Sequence, residues 1–322
     1  MNQRLRFALV GAGNMGSNHA RVISEHPDTE LVYLIDPRQD VGAAVAARYG
    51  ATWLPELPHL NDIDAVVVAA ATEAHHSLAL QVLGQDTALL VEKPVADGLA
   101  ETEEILALAE HRDLPMMCGL LERFNPAVMT AKAILSDPVH VVATRHSPYA
   151  PRIRTGVSWD LLVHDVDLAI HLMGSEPSRV DAQLGFFHSS SLAQAEDVAE
   201  VLLGFENGGL GRVSASRIGQ RKIRELQVYE TGKLIEADLL RRTVTVYNHV
   251  AEQAENEGRN YRQQTVIEIP EIIHNVEPLV GQLTHFVALL RGEADAAAER
   301  SSILPSHRVI NAAISQRESV RV

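Results

Sequence analysis

The sequence predicts an α/β protein: a doubly wound parallel sheet over the first 120 residues, then an α/β domain built on a large, mostly antiparallel sheet. Three observations predict it. Short apolar runs alternate with helical patterns from the N-terminus to Gly119, the rhythm of strand–helix–strand units. From Val180 onward, strand-like runs follow one another with only turn signals between them. A chain of 322 residues, at roughly 150 per domain, makes about two domains, each able to bury a core.

In the first part, Phe7–Val10 is a short β-rich run and Met15–Glu25 a helix. Glu30–Ile35 is the second strand and the Ala-rich Asp40–Tyr49 the second helix. Asp64–Ala70 (DAVVVAA) is apolar without alternation, as in a strand covered on both faces. His75–Leu83 reads as a helix, Ala88–Val91 as a strand, Leu99–His111 as a helix and Pro115–Gly119 as a short strand. In the second part, Pro126–Leu135 and Ser158–Met173 are helical. Val180–Phe187, Val198–Phe205, Gly211–Ser216, Leu226–Glu230 and Thr243–Tyr247 are strands, with hairpin turns at Glu206–Gly209 and Thr231–Lys233. Glu252–Gln264 is a polar, solvated loop, Thr265–Ile269 a late strand, and Glu277–Arg291 and Ser306–Gln316 closing helices. The predicted domains are 1–120 and 121–322.

A formal net charge of −14 argues against a general nucleic-acid binder, which would carry a basic face. The lone Cys118 excludes a disulfide framework and any multi-cysteine metal site. The longest apolar run, Ala65–Ala71, is far short of the ~20 residues that span a bilayer, and Met1–Arg6 leads straight into a strand. The expectation is a cytoplasmic protein that engages neither nucleic acid nor membrane.

Gly11-Ala12-Gly13-Asn14-Met15-Gly16 fits GxGxxG. The spacing alone is weak, but here it follows a strand, opens a helix and starts the α/β alternation. Asp36 lies 20 residues after Gly16, at the end of the second strand. That is the context of a dinucleotide site on a Rossmann fold. Gly11 allows the tight turn, Gly13 close approach of a pyrophosphate, and Gly16 close helix–strand packing. Asp36 would accept hydrogen bonds from ribose hydroxyls and repel a 2′-phosphate, which favours NAD over NADP. Arg38 could accommodate that phosphate and tempers the preference.

Asp160, His164, Asp167 and His171 stand at offsets of 0, 4, 7 and 11. At ~100° per residue they share a narrow arc of one helix. A carboxylate one turn before a histidine can hold the imidazole's tautomer and raise its basicity, which suits proton removal from a hydroxyl. A solvated helix face is the competing reading; a metal site is disfavoured, because a redox cofactor already supplies the chemistry. Glu92-Lys93-Pro94 ends the strand Ala88–Val91, at the carboxyl edge where open α/β sheets bind ligands. An exposed strand-ending lysine is the plainer reading of Lys93.

GAGNMGSNH at 11–19, ATEAHH at 71–76, EKP at 92–94 and DLLVHDVDL at 160–168 resemble the Gfo/Idh/MocA oxidoreductases over almost the whole chain. The resemblance implies a Rossmann domain, then an α/β domain whose open sheet faces the cofactor and often forms the oligomer contact. It implies catalytic roles for Lys93, Asp160 and His164. His164 is the general base toward an alcohol, Lys93 and Asp160 tune and orient it, and hydride passes to nicotinamide C4. It also implies cofactor contacts from Gly11, Gly13, Asn14, Met15, Gly16, Asp36, Arg38, Ala70, Thr72, His75, Glu92 and Lys93, with His19 matching the histidine after the glycine motif. Ala70-Ala71 departs from the Thr-Pro common there.

A narrower resemblance, GLLERFNPAV and RHSPYAPRIRTGVSWDLLVHDVDL, is to family members that are UDP-N-acetylglucosamine 3-dehydrogenases. It implies a substrate site of Arg123, Asn125, Tyr149, Arg152, Arg154, Asp160 and His164, with Arg145 as a further phosphate donor, since arginine forks suit phosphate. Inositols, free sugars and sugar phosphates remain open as substrates, and a dinucleotide-sensing regulator is the non-enzyme alternative. No metal is expected. A homodimer or homotetramer is, because the exposed sheet face needs cover.

Overall fold

Ala65–Val68, Ala88–Val91 and Met116–Cys118, three parallel strands of the first sheet, are short, wholly buried apolar runs without alternation, because helices cover both faces of the sheet. The computed structural model describes residues 3–151, 155–191, 195–253, 261–273 and 276–316. Its first sheet has six parallel strands: β1 (Leu5–Val10), β2 (Thr29–Ile35), β3 (Thr52–Leu54), β4 (Ala65–Val68), β5 (Ala88–Val91) and β6 (Met116–Cys118). The strand order is β3-β2-β1-β4-β5-β6, so the direction of winding reverses between β1 and β4. Ligands of doubly wound sheets bind outside the carboxyl ends of the strands at this reversal. Helices α1 (Asn14–Glu25), α2 (Gln39–Tyr49), α3 (Thr72–Leu83) and α4 (Leu99–His111) make the crossovers.

The second sheet has eight strands: β7 (His140–His146), β8 (Pro177–Gly185), β9 (Val198–Phe205), β10 (Leu210–Ser216), β11 (Ile223–Glu230), β12 (Lys233–Asp238), β13 (Thr243–Gln253) and β14 (Tyr261–Glu268). In the order β14-β13-β12-β11-β7-β10-β9-β8, every neighbouring pair is antiparallel except β7 with β10. Val141, Ala143, Val201, Leu203, Val213, Leu226, Val228, Ile235, Val244 and Val246 form its buried face. There α5 (Pro126–Ile134) covers β12 and β13, and α6 (Val163–Met173) covers β7 and β10.

Three sequence expectations are corrected. The chain divides into unit 1, Met1–Leu121 with Glu277–Arg308, and unit 2, Glu122–Val276 with Val309–Val322. The chain passes from unit 1 to unit 2 after Leu121, but α7 (Pro278–Leu290) and α8 (Ala296–Ser301) return to unit 1, where α7 packs on α1 and α8 on β6. No periodicity encodes that return. The supposed polar loop Glu252–Gln264 is strand at both ends, with β13 running to Gln253 and β14 starting at Tyr261; residues 254–260 lie outside the described residues. Polar side chains suit this ladder because β14 is an edge strand, exposed on both faces over 264–268. The strand expectations lack β3, which at three residues is too short to show a period, and also β7 and β12 of the second sheet; α8 is likewise absent from the expected helices.

Candidate active site

The glycine turn folds as its spacing requires. Gly11 sits at φ +102° and its N–H donates to the Ile35 carbonyl at 2.7 Å. A Cβ there would lie 2.4 Å from Ala69 O, and one on Gly16 would lie 1.9 Å from Gly11 O. A Cβ on Gly13 would meet nothing within 4 Å. Gly13 is the N-cap of α1, and no side chain caps the helix, so its first-turn amides face the opening.

Asp36 closes the other side of this opening. Its Oδ2 accepts from the Ala12 N–H at 2.8 Å and from Arg38 Nη2 at 2.8 Å. Its Oδ1 accepts from the Arg38 N–H at 2.9 Å and Nε at 3.0 Å. The Arg38 fork, helped by the two backbone amides and opposed by burial, holds the Asp36 carboxyl well below the ordinary carboxylate range, at about 2. Arg38 itself is largely exposed.

A cavity of ≈ 810 Å³ lies at the β1/β4 switch point. Of the expected cofactor residues, Gly11, Gly13, Asn14, Met15, Asp36, Arg38 and Ala70 line it. The residues present fit a dinucleotide: an open approach over Gly13 for a pyrophosphate and a buried carboxylate one strand away for a diol. Sequence reasoning missed Glu56 and Leu57, and one face of α3: Ala74, Ser77, Leu78 and Gln81. Their spacing of 0, 3, 4 and 7 was the signal.

Gly16, Thr72, Glu92 and Lys93 do not line this cavity, and neither does His75. His75 is buried, with Nδ1 at 2.8 Å from Pro94 O and Nε2 at 3.2 Å from Ala70 O, so both ring nitrogens face backbone carbonyls. Glu92 is also buried, with Oε1 at 2.8 Å from His19 Nε2. His19 is thereby a paired core histidine. Lys93 is half-buried, at the cis Lys93–Pro94 peptide.

In unit 2 the motif Asp160–His171 starts in a π turn, Ser158–Leu162, and becomes α-helical at Val163. The uniform ~100° step assumed from the sequence fails across that turn, where hydrogen bonds skip five residues. Asp160 is half-buried and His164 buried. Asp167 is no solvated residue: it takes the Arg123 guanidinium on both oxygens, Nε to Oδ2 at 2.7 Å and Nη2 to Oδ1 at 2.5 Å. His171 is half-buried, and its carbonyl accepts from Lys132 Nζ at 2.7 Å.

The expected substrate arginines divide. Arg145 is corrected: fully buried on β7, it gives Nε and Nη2 to Asp165 at 2.7 and 2.9 Å and Nη1 to Glu122 at 2.9 Å. Asn125 is corrected too. It caps α5 by accepting from the Ala127 N–H, and its amide donates to Glu122 Oε2 and Leu239 O. Burial lifts the Asp165 carboxyl above its ordinary value despite Arg145. Glu122 is held low, because Arg145 and Arg224 together outweigh its burial. Tyr149 stacks on His188, ring centroids 3.6 Å apart. Arg152 and Arg154 lie outside the described residues. Among the described residues, no group of three or more His, Cys, Asp or Glu is placed to hold a metal, and no helix is long and apolar enough to cross a membrane.

A six-stranded parallel sheet in this order, with a glycine turn and an acidic strand end at its switch point, defines a dinucleotide-binding α/β protein. Residues 5–120 match the oxidoreductase family with an NAD-binding Rossmann fold, and residues 128–235 match the GFO/IDH/MocA C-terminal domain. The chain belongs to this family of oxidoreductases, and NAD is its cofactor. It is 26% identical to UDP-N-acetylglucosamine 3-dehydrogenase of Acidithiobacillus ferrooxidans over 77% of this chain and 78% of that one. A solved structure of that enzyme covers 98% of this chain and 99% of its own, with a TM-score of 0.81 at 23% identity, a likeness of fold. Myo-inositol 2-dehydrogenase of Thermotoga maritima is 26% identical over 90% of this chain and 95% of its own. The structure of GenD2 from gentamicin A biosynthesis, in complex with NAD, covers 100% of this chain and 96% of its own, with a TM-score of 0.83 at 23% identity.

Proposed function

We propose that the chain is an NAD-dependent dehydrogenase, or in reverse a ketoreductase, acting on a secondary CH–OH group of a carbohydrate. The first candidate is the 3-hydroxyl of a nucleotide sugar such as UDP-N-acetylglucosamine. One observation carries the reading: a switch-point cavity open over Gly13 and closed by the Asp36 carboxylate, in a family member that keeps Lys93, Asp160 and His164.

Bound NAD supplies the hydride acceptor. The chain's own residues handle the proton. His164 takes the hydroxyl proton on a ring nitrogen, and the Asp160 carboxylate steadies the imidazolium that results. Lys93, just past the carboxyl end of a parallel strand, joins the proton-transfer set on the family resemblance, its ammonium donating hydrogen bonds and stabilising developing negative charge. Ala12, held by Asp36, and the uncapped first turn of α1 receive the dinucleotide.

The nucleotide-sugar candidate rests on the likeness to UDP-N-acetylglucosamine 3-dehydrogenase and on the motif at 120–168. A neutral polyol such as an inositol is the second reading. It is favoured by the engagement of Arg123 and Arg145 with carboxylates, which occupies two of the four expected phosphate donors.

A thermal-shift screen tests the reading, with NAD and NADP separately, then each with UDP-N-acetylglucosamine, sugar phosphates and myo-inositol. A ligand at 100 times its dissociation constant adds ~2.7 kcal/mol, enough to see. A NAD shift that grows with the nucleotide sugar, followed by formation of reduced nicotinamide, supports the first candidate. Growth with myo-inositol alone moves the substrate to polyols. Lys93→Ala and His164→Ala should each cut kcat by ~10²–10⁴-fold and leave NAD affinity intact. Undiminished turnover in both overturns the proton-transfer assignment.

A further inference from the structure

We propose that three buried histidines, His19, His75 and His307, act as positioning residues that fix the segment carrying Lys93. The proposal rests on the reading of Lys93 given above.

The segment leaves the sheet after Val91, the last residue of β5; the Glu92 N–H still donates to the Val68 carbonyl at 2.8 Å, and beyond it the peptide groups lose the ladder that satisfied them. From Val91 to Ala96 every residue is buried except Lys93. A buried irregular segment must find partners for its polar groups, and here they come from imidazoles on three separate helices. His19 on α1 holds the Glu92 carboxylate, Nε2 to Oε1 at 2.8 Å. His75 on α3 holds the Pro94 carbonyl, Nδ1 to O at 2.8 Å. His307, on α9 (Leu304–Ser315), accepts the Val95 N–H at Nε2, 3.2 Å away. These contacts fall on both chain neighbours of Lys93 and on the residue after them.

The tautomer of His307 follows from its partners. Nε2 is an acceptor, so the proton sits on Nδ1, which lies 3.0 Å from the Ile303 carbonyl and donates to it. His307 is fully buried and belongs to the part of the chain that returns to unit 1. Packing alone calls for leucine at three such places, because each buried imidazole costs free energy unless it is bonded. The contacts converge instead on the few residues around the half-buried Lys93, as expected of a device that sets where its amine stands.

Paired substitutions separate this role from packing. His307→Asn removes the ε nitrogen and keeps a δ donor, whereas His307→Gln keeps an acceptor at the ε position. His19→Asn and His19→Gln form a second, independent pair. In each variant the acylation rate of the Lys93 amine by a small acetylating ester is measured by peptide mass spectrometry. The exposed Lys222 is the internal reference. Without added cofactor or substrate, the Asn variants should change the Lys93/Lys222 rate ratio by about threefold or more, the worth of one hydrogen bond, and the Gln variants should restore it. In turnover assays the Asn variants should lower kcat with little change in KM. A rate ratio unmoved in both Asn variants overturns the brace, as does one that moves equally in Asn and Gln. Lys93→Ala is run alongside: if it keeps full turnover, the reading of Lys93 falls, whatever the acylation rates show.

Discussion

A methyl group on residue 13 would meet nothing, and one on residue 16 would meet the Gly11 carbonyl oxygen at 1.9 Å. The two motif glycines therefore do different work, and alanine separates them. Gly13→Ala should keep the wild-type melting temperature to within the effect of about 1 kcal/mol, since its φ of −70° suits any residue. Its methyl would stand where the pyrophosphate approaches, so the dissociation constant for NAD should rise about tenfold or more. Gly16→Ala should destabilise the fold itself. Equal NAD affinity in Gly13→Ala and wild type, by fluorescence titration, would show that the cofactor does not cross that residue. Asp36 adds a pH prediction. Its folded pKa, about 2, lies below its ordinary value, so the stabilisation from its ionised form is complete above that value and fades as pH falls toward 2. Between about pH 5 and 9 Asp36 stays ionised, and Asp36→Asn should weaken NAD binding by one constant factor. A factor that changes across that range overturns the assignment.

Two arginine forks grip successive acidic positions on α6. Arg123, in the 3₁₀ turn Leu121–Phe124, holds Asp167, and Arg145 holds Asp165 and Glu122. Removing one partner of a buried ion pair leaves the other charge uncompensated, at a cost of about 3–5 kcal/mol. Arg145→Met should lower stability by that amount in urea unfolding. A loss under about 1 kcal/mol would show that the cluster is not structural. These pairs also show what was legible in the sequence. Parallel strands such as β4 and β5 announce themselves by unbroken apolar runs, and the Gly11–Gly16 turn by its place after β1. The partners of charged residues do not. Arg145 and Arg123 carry the same chemistry as phosphate-binding arginines, and only the fold, by placing carboxylates 2.5 to 2.9 Å away, commits them to structure. The π turn at Ser158–Leu162 is hidden for the same reason: its residues suit an α-helix, and packing alters the winding. His307 offers no local signal either, because its partner Val95 is 212 residues away.

The unit 2 sheet raises the question of assembly. Its face opposite α5 and α6 is crossed by one cross-strand row: Leu210, His140, Tyr229, Leu234, Tyr247 and Ile267, each directly paired with the next. His140 and Tyr229 stack at 5.1 Å, and the row ends on Leu210 and Ile267, 61% and 60% exposed. The neighbouring row, Leu202, Arg212, Val142, Gln227, Glu236 and Thr245, is mostly polar. An apolar and aromatic ribbon flanked by polar residues is the pattern of a self-complementary interface. We therefore expect a homodimer or homotetramer, with light scattering giving two or four times the chain mass of 35.2 kDa. Leu234→Glu puts a second carboxylate beside Glu236 in the middle of the sheet, so like charges would meet across such an interface. It should bring the mass down to that of one chain. The cavity lined by Asp36 and Gly13 belongs to unit 1, so NAD should still raise the melting temperature of the dissociated variant. A wild-type protein of single-chain mass at micromolar concentration would overturn the expectation. An intact oligomer in Leu234→Glu would move the contact to another face.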